Sequence, residues 1–190
     1  MTAGLILAAG ESRRMGTPKA LLPYRNESFL DTLVGLLQDR CAPVIVVLGC
    51  AADQIRSAAR RAALFVENPH WAAGQTGSMQ CGLRSVPPEA AGVLFTLVDH
   101  PAVRPQTLDA LLRAEPALLR VPRYRGRNGH PIWFSRDLIA EFLALPHSAG
   151  ARDVVRAHAG ETTFLEVDDP GVLADIDDPA AYRALLEDRR

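Results

Sequence analysis

The chain has 190 residues, with 21 basic and 22 acidic side chains and a formal net charge of −1. That balance argues against a protein that coats nucleic acid, while leaving room for a local basic site. Hydrophobic residues at 48% and charged residues at 23% are the proportions of a folded globular chain, not of a disordered one. Cys41, Cys50 and Cys81 show no C-x-x-C spacing, so neither a disulfide scaffold nor a zinc knuckle is expected. Apolar runs such as 44–48 and 92–98 are too short to span a bilayer, and no basic leader precedes the first apolar run. The expectation is a cytoplasmic protein in a reducing compartment.

Residues 4–9 are continuously apolar and stop at Gly10, which predicts a strand buried on both faces and then a glycine loop. Phe29, Leu30, Leu33, Leu36 and Leu37 follow helical spacing, with Asn26 or Ser28 as N-cap. A second buried strand at 43–48 ends at Gly49, followed by a helix over 51–61 and a short strand over 63–66. A loop from Asn68 to Gly74 leads into a helix over 76–85. The most hydrophobic strand, 92–98, ends in Asp99, and 105–113 reads as a helix with proline in its first turn. Two strands, 117–122 and 131–134, flank a basic turn at 123–130. Helices over 138–145 and 151–158 precede a strand at 162–167, and Asp178-Pro179 opens a last helix with Tyr182, Leu185 and Leu186 on its apolar face.

This alternation predicts one α/β domain over residues 1–190: three layers, doubly wound, a mostly parallel sheet with helices on both faces. The region around 120–134 breaks the alternation and adds an antiparallel piece. Ligands of such sheets sit outside the carboxyl ends of the strands, which directs attention to the loops after Ala9, Val66 and Val98.

The first of these loops reads Leu7-Ala8-Ala9-Gly10-Glu11-Ser12-Arg13-Arg14-Met15-Gly16-Thr17-Pro18-Lys19. It is neither a Walker A loop nor a G-x-G-x-x-G fingerprint. It still has the parts of a polyphosphate site: glycines that let backbone N–H groups approach anions, an arginine fork and a lysine point charge. Of the 21 basic residues only Lys19 is a lysine, so a compact ammonium in this loop stands out. A plain surface turn with two arginines is the competing reading.

The loop closely resembles L-x-A-G-x-S-x-R-M-G-x-P-K, the signature of MobA-like nucleotidyltransferases, which move a nucleoside monophosphate onto a phosphorylated acceptor. The resemblance continues through Asn68-Pro69-x-Trp71, Gly74-Gln75-x-x-Ser78-Met79-x-x-Gly82-Leu83, Leu97-Val98-Asp99-x-Pro101 and Asp175-Ile176-Asp177-x-Pro179. Gly129-His130-Pro131-x-x-Phe134 and Gly150-Ala151-Arg152 resemble motifs of the branch that makes the cytosine-dinucleotide form of molybdenum cofactor. The chain departs from the pattern at His100, where glutamine is common, and at Asp178, where threonine is usual.

The resemblance implies a Rossmann-like nucleotidyltransferase. Nucleotide binding would fall to Leu7, Ala8, Ala9, Gly10, Ser12, Arg13, Met15, Gly16, Lys19, Gln75, Ser78 and Gly82. Arg13, Lys19 and Asp99 would be catalytic. Mg2+ would be held by Asp99 with Asp175 or Asp177, and His130, Gly150 and Arg152 would face the acceptor. The implied partners are CTP as the favoured nucleotide, a phosphorylated pterin acceptor and a molybdoenzyme that receives the product, with no nucleic acid and no membrane. The guanine-specific branch, sugar- or alcohol-phosphate nucleotidyltransferases and a non-catalytic cofactor chaperone are the alternatives. An oxidoreductase would need a dinucleotide fingerprint that the chain lacks.

The residues themselves are compatible with these roles. A carboxylate at a strand end, such as Asp99, is placed to hold a divalent cation, although an Asp shortly before a proline also starts turns. Asp175 and Asp177 flank Ile176 and in extended backbone point to the same side. Asp177 or Asp178 could equally cap the helix that starts at Pro179.

Overall fold

A computed structural model describes residues 1–187. In chain order the elements are β1 (Thr2–Ala8), β2 (Pro23–Tyr24), β3 (Glu27–Ser28), α1 (Phe29–Gln38), β4 (Val44–Leu48), α2 (Ala52–Ala58), β5 (Leu64–Glu67), α3 (Gln75–Leu83) and β6 (Gly92–Leu97). They continue with α4 (Pro105–Arg113), β7 (Leu119–Tyr124), β8 (Arg127–Asn128), β9 (Ile132–Ser135), α5 (Ile139–Ala144), α6 (Ala151–Ala157), β10 (Thr162–Glu166) and α7 (Pro179–Glu187). Short 3-10 turns fill several connections, among them Arg13–Met15 and Lys19–Leu21.

The main sheet runs β10-β7-β9-β6-β1-β4-β5, with β8 paired to β7. β1, β4, β5 and β6 are mutually parallel neighbours in the order β6-β1-β4-β5. The expected antiparallel piece is β9, and it lies inside the sheet: it pairs antiparallel with β6 on one side and β7 on the other. The mostly parallel, doubly wound α/β architecture is as the sequence predicts.

Residue alternation along β1 sorts the core into two layers. Ala3, Leu5 and Leu7 pack with Ile45, Val47, Val93 and Phe95 against Met79 and Leu83 of α3, Phe142 of α5 and Val154 of α6. Ile6 and Ala8 pack with Val46 and Leu48 against α1, Ile55 of α2 and Leu108 and Leu111 of α4. Both layers are built from apolar side chains, as befits strands covered on both faces.

Local signals set the helix ends. Ser28 is the N-cap of α1, its Oγ accepting the Asp31 N–H at 3.0 Å, a contact worth about 1 kcal/mol. Buried Asp31 also accepts the N–H groups of Arg60 and Arg61 at 2.9 and 3.1 Å, tying the end of α2 to α1. Asp178, not Asp177, caps α7: its Oδ1 accepts the Ala180 and Ala181 N–H groups, both at 2.9 Å.

Three features differ from the sequence reading. The β2–β3 hairpin carries no apolar run; its turn holds Arg25 at φ 53°, and Tyr182 of α7 donates its hydroxyl to the Pro23 carbonyl at 2.7 Å. In α7, Tyr182 and Leu185 lean on the core but Leu186 is exposed, because the helix rests on the body by a narrow stripe. Strand β7 starts two residues later than predicted and runs on through Tyr124.

Candidate active site

The carboxyl ends of β1 and β6 open onto a cleft of about 550 Å³. Its walls carry Leu7, Ala8, Ala9, Gly10, Ser12 and Arg13 from the first loop, Lys19 from the next turn, and Gln75 and Ser78 from α3. Asp99 and Asp177 close the far side. The small side chains of Ala8 and Ala9 leave the strand end accessible to a ligand. Ser78 is fixed from behind, its Oγ accepting a hydrogen bond from Asn68 Nδ2 at 3.0 Å.

The first loop turns through two left-handed positions, Ser12 at φ 56° and Gly16 at φ 66°. Glycine adopts this conformation freely; serine does so at a cost, and such strain concentrates at functional sites. Ser12 Oγ also accepts the Lys19 N–H at 3.0 Å, which fixes where the lysine leaves the backbone.

Lys19 is the hinge of the charged cluster. Its Nζ donates to Asp99 Oδ2 at 2.9 Å and to Asp177 Oδ1 at 2.5 Å, with the side chain only 12% exposed. Burial pulls this ammonium down, but the Asp177 hydrogen bond and the Asp99 charge outweigh it and leave the lysine above its ordinary value. The Lys19 hydrogen bond, with help from Arg14 at 2.7 Å, holds Asp177 below the usual carboxylate range. Asp175 behaves oppositely: desolvation, then the negative charges of Asp99 and Asp177, push it up to about 6. Asp177 is thus committed to lysine and arginine, whereas Asp175 is pushed toward its neutral form.

Asp99 is placed by backbone. After β6 the Val98 N–H donates to the Leu7 carbonyl at 3.0 Å, and the Asp99 carbonyl accepts the Ile176 N–H at 3.0 Å. The second bond brings the 175–177 segment to the strand end. Asp99 Oδ1 is buried, and no donor among the described residues bonds it; the Asp175 carboxyl lies within hydrogen-bonding reach of Asp99 when protonated. Ligand atoms of Asp99, His100 and Asp175 lie within 4.8 Å of one another. An orphaned carboxylate oxygen beside a second carboxylate fits a divalent cation, because such ions are held by oxygen donors.

The remaining predicted residues lie elsewhere. Met15 packs on the core beside α1, and Gly16 serves the turn rather than the cleft wall. Gly82 is a packing residue: a Cβ there would meet Leu5 at 2.5 Å and Val47 at 2.6 Å, so its role is to seat α3 on the sheet. His130 does not face the cleft. Its ring packs on Phe95 and His100, centroids 5.8 and 5.0 Å away, and burial pushes it down to about 4. Gly150 is the N-cap of α6, its N–H held by Asp153 Oδ2 at 2.8 Å, and Arg152 points to solvent. The Thr76 hydroxyl donates to the Ala149 carbonyl, which ties this segment to the start of α3. Arg13 is largely exposed and pairs with Glu11 at 2.6 Å. Trp71, Arg14 and Gly74 also line the cleft and are not among the site residues expected from the sequence; the loop from Asn68 to Gly74 signals two of them, and the arginine of the first-loop signature falls on Arg14.

The sequence profile of the MobA-like NTP transferase domain matches residues 4–162. The chain is 28% identical over 182 residues to the molybdenum cofactor cytidylyltransferase of Escherichia coli, covering 92% of this chain and 90% of that protein. It is 30% identical over 195 residues to a probable molybdenum cofactor guanylyltransferase of Mycobacterium avium, covering 98% and 96%. Among solved structures, the Mycobacterium tuberculosis protein Rv0371c in complex with manganese superposes with a TM-score of 0.81 at 34% identity, covering 98% of each chain. The chain therefore belongs to the MobA-like NTP transferase domain family and is a nucleotidyltransferase.

Proposed function

We propose that this protein transfers a nucleoside monophosphate, with CTP as donor, onto the phosphate of a molybdenum-cofactor-type pterin. One observation carries the reading: the lone lysine lies between two carboxylates at the mouth of a cleft whose other wall is a glycine-containing, arginine-bearing loop. A lysine, an arginine and backbone N–H groups around one cleft suit a polyanion.

In the proposed step an acceptor phosphate oxygen attacks the α-phosphorus, the bond from that phosphorus to the bridging oxygen breaks, and pyrophosphate leaves with the electron pair. The attacking oxygen is already anionic, so no general base is needed; alignment and charge stabilisation supply the rate. Backbone N–H groups between Gly10 and Gly16, with Arg13, hold the β- and γ-phosphates. Lys19, held by Asp177, turns its remaining N–H donor toward the charge growing at the α-phosphate. Ala8 and Ala9 leave room for the nucleoside, and Gln75 and Ser78 line the place for its base. Asp99, through Oδ1, and Asp175 are the residues that would hold Mg2+; Asp177 orients Lys19. When bound, the cation neutralises triphosphate charge. Gly150 and Arg152, tethered to α3 at Ala149, are the acceptor-side residues.

CTP leads because the Gly129–Phe134 and Gly150–Arg152 patterns resemble those of the cytidylyl branch. GTP is the second reading, favoured by the 30% identity to a probable guanylyltransferase over nearly the whole chain. Thermal unfolding with each of CTP, GTP, ATP and UTP, with and without Mg2+, separates them. At a hundredfold excess over Kd, ligand binding adds about 2.7 kcal/mol, or roughly 5–10 °C in Tm for a chain of this size. The expected result is a Mg2+-dependent rise with CTP. A rise confined to GTP moves the donor to guanine, and no rise with any nucleotide contradicts the phosphate-loop reading.

A further inference from the structure

We propose that His100 is a nitrogen ligand of the divalent cation in this cleft, so that the site is a mixed nitrogen–oxygen site with Asp99 and Asp175 and prefers Mn2+ to Mg2+. The inference rests on the reading that a cation binds here at all, and it concerns the position where this chain departs from the glutamine common in its relatives.

The two oxygens of Asp99 face different neighbours. Oδ2 is taken by Lys19 Nζ at 2.9 Å. Oδ1 is buried without a hydrogen-bond donor among the described residues, and His100 Nε2 lies 3.8 Å from it. That separation is too long for a hydrogen bond. It lies between the spacings of cis and trans donors on one ion, about 3.0 and 4.2 Å at metal–ligand distances of about 2.1 Å, so both groups can reach the same ion. Asp175 supplies a third donor within 4.8 Å of the other two. A cation on the Oδ1 side leaves the Lys19–Asp177 pair intact, so metal and lysine act together rather than compete.

His100 is also built to stay in place. Its side chain is 6% exposed, its N–H donates to the Leu97 carbonyl at 3.3 Å, and its ring lies against His130. Among the described residues its ring makes no hydrogen bond, and Nδ1 is fully buried. An imidazole this enclosed is costly to leave unused, and an ion at Nε2 would use it. Carboxylates alone suit Mg2+ and Mn2+ alike, whereas an added imidazole favours a transition-metal ion such as Mn2+ over Mg2+.

The test is pulsed electron paramagnetic resonance of Mn2+ bound to the full-length protein. We expect modulation from a directly coordinated 14N nucleus, which changes to the 15N pattern when histidine alone is 15N-labelled. In His100→Gln the nitrogen signal disappears, the bound-Mn2+ spectrum persists, and the Kd for Mn2+ rises at least about tenfold while that for Mg2+ moves less. Bound Mn2+ in the wild type with oxygen ligands only overturns the assignment of His100 and leaves the cation site standing. No specifically bound Mn2+ overturns both. The wild-type spectrum decides the point even if the variant fails to fold.

Discussion

The two segments that meet over Asp99 are held in opposite ways. The loop from Gly10 to Pro18 arrives from β1 with its guanidinium groups outward: the Arg13 side chain is 83% exposed and pairs only locally, with Glu11. Its link to the far wall is the exposed Arg14–Asp177 pair, of a kind that contributes at most about 1 kcal/mol. The segment from Asp169 to Ile176 is stitched to three other elements. Buried Asp169 accepts the Arg104 N–H at 2.8 Å and the Thr107 hydroxyl at 2.6 Å, and so supplies from a distance the cap that α4 lacks locally. Its other oxygen accepts the Gly171 N–H at 2.9 Å. The Val172 carbonyl takes the His130 N–H, and the Asp99 carbonyl takes that of Ile176. The difference fits the proposed function: a wall that would receive a polyphosphate is held only by weak, exchangeable pairs, while one that presents carboxylates at fixed spacing has to be preorganised.

The largest expected effect falls where the two walls converge. Asp99→Ala is predicted to lower nucleotidyl transfer by at least about 10³-fold, in the range found when a preorganised charge is removed, while far-ultraviolet circular dichroism stays native. Unchanged turnover would remove Asp99 from the reaction. Lys19→Arg is predicted to cost about 10²-fold despite the retained charge, because the larger planar guanidinium cannot put its charge where the compact ammonium sits in a slot that leaves the side chain 12% exposed. Full activity in that variant would mean that the single lysine is an accident of composition.

Smaller effects separate the walls by stability rather than rate. Asp169→Ala strands three donors and is predicted to cost about 3 kcal/mol, read as a Tm lower by roughly 6–12 °C, whereas Arg13→Ala in the loose wall should leave Tm unchanged. Equal shifts for the two variants would erase the contrast. The smallest effect lies away from both walls. His158 sits between Glu141, 2.7 Å from Nε2, and Glu161, 3.1 Å from Nδ1, and these hydrogen bonds raise it above 6.5. The pairing therefore stabilises fully below pH 6.5 and fades as pH rises through the raised value. His158→Gln should lower Tm at pH 6 and leave it unaltered at pH 9.

Much of the architecture was legible in the chain because buried parallel strands write themselves as unbroken apolar runs, as at 44–48 and 92–97. The first loop was legible for a different reason: glycines and charges crowd into a few consecutive residues. What stayed hidden was long-range. Nothing near Asp169 in sequence announces that it caps α4, and Gly82 reads as part of a nucleotide motif although its missing side chain serves helix packing. His130 sits in a motif-like turn, yet its ring is turned inward onto Phe95 and His100. Asp175 and Asp177 read alike in the sequence; the side-chain geometry pairs Asp177 with Lys19 and brings Asp175 within 4.8 Å of Asp99 and His100.

The central claim is nucleotidyl transfer by this cleft, and pyrophosphate release tests it most directly. The purified protein would be supplied with molybdenum cofactor, one nucleoside triphosphate at a time, and Mg2+ or a chelator. The account predicts stoichiometric pyrophosphate with CTP that requires both the acceptor and the metal and is lost in Asp99→Ala. Absence of pyrophosphate with every nucleotide, or release indifferent to metal and to Asp99, would contradict it.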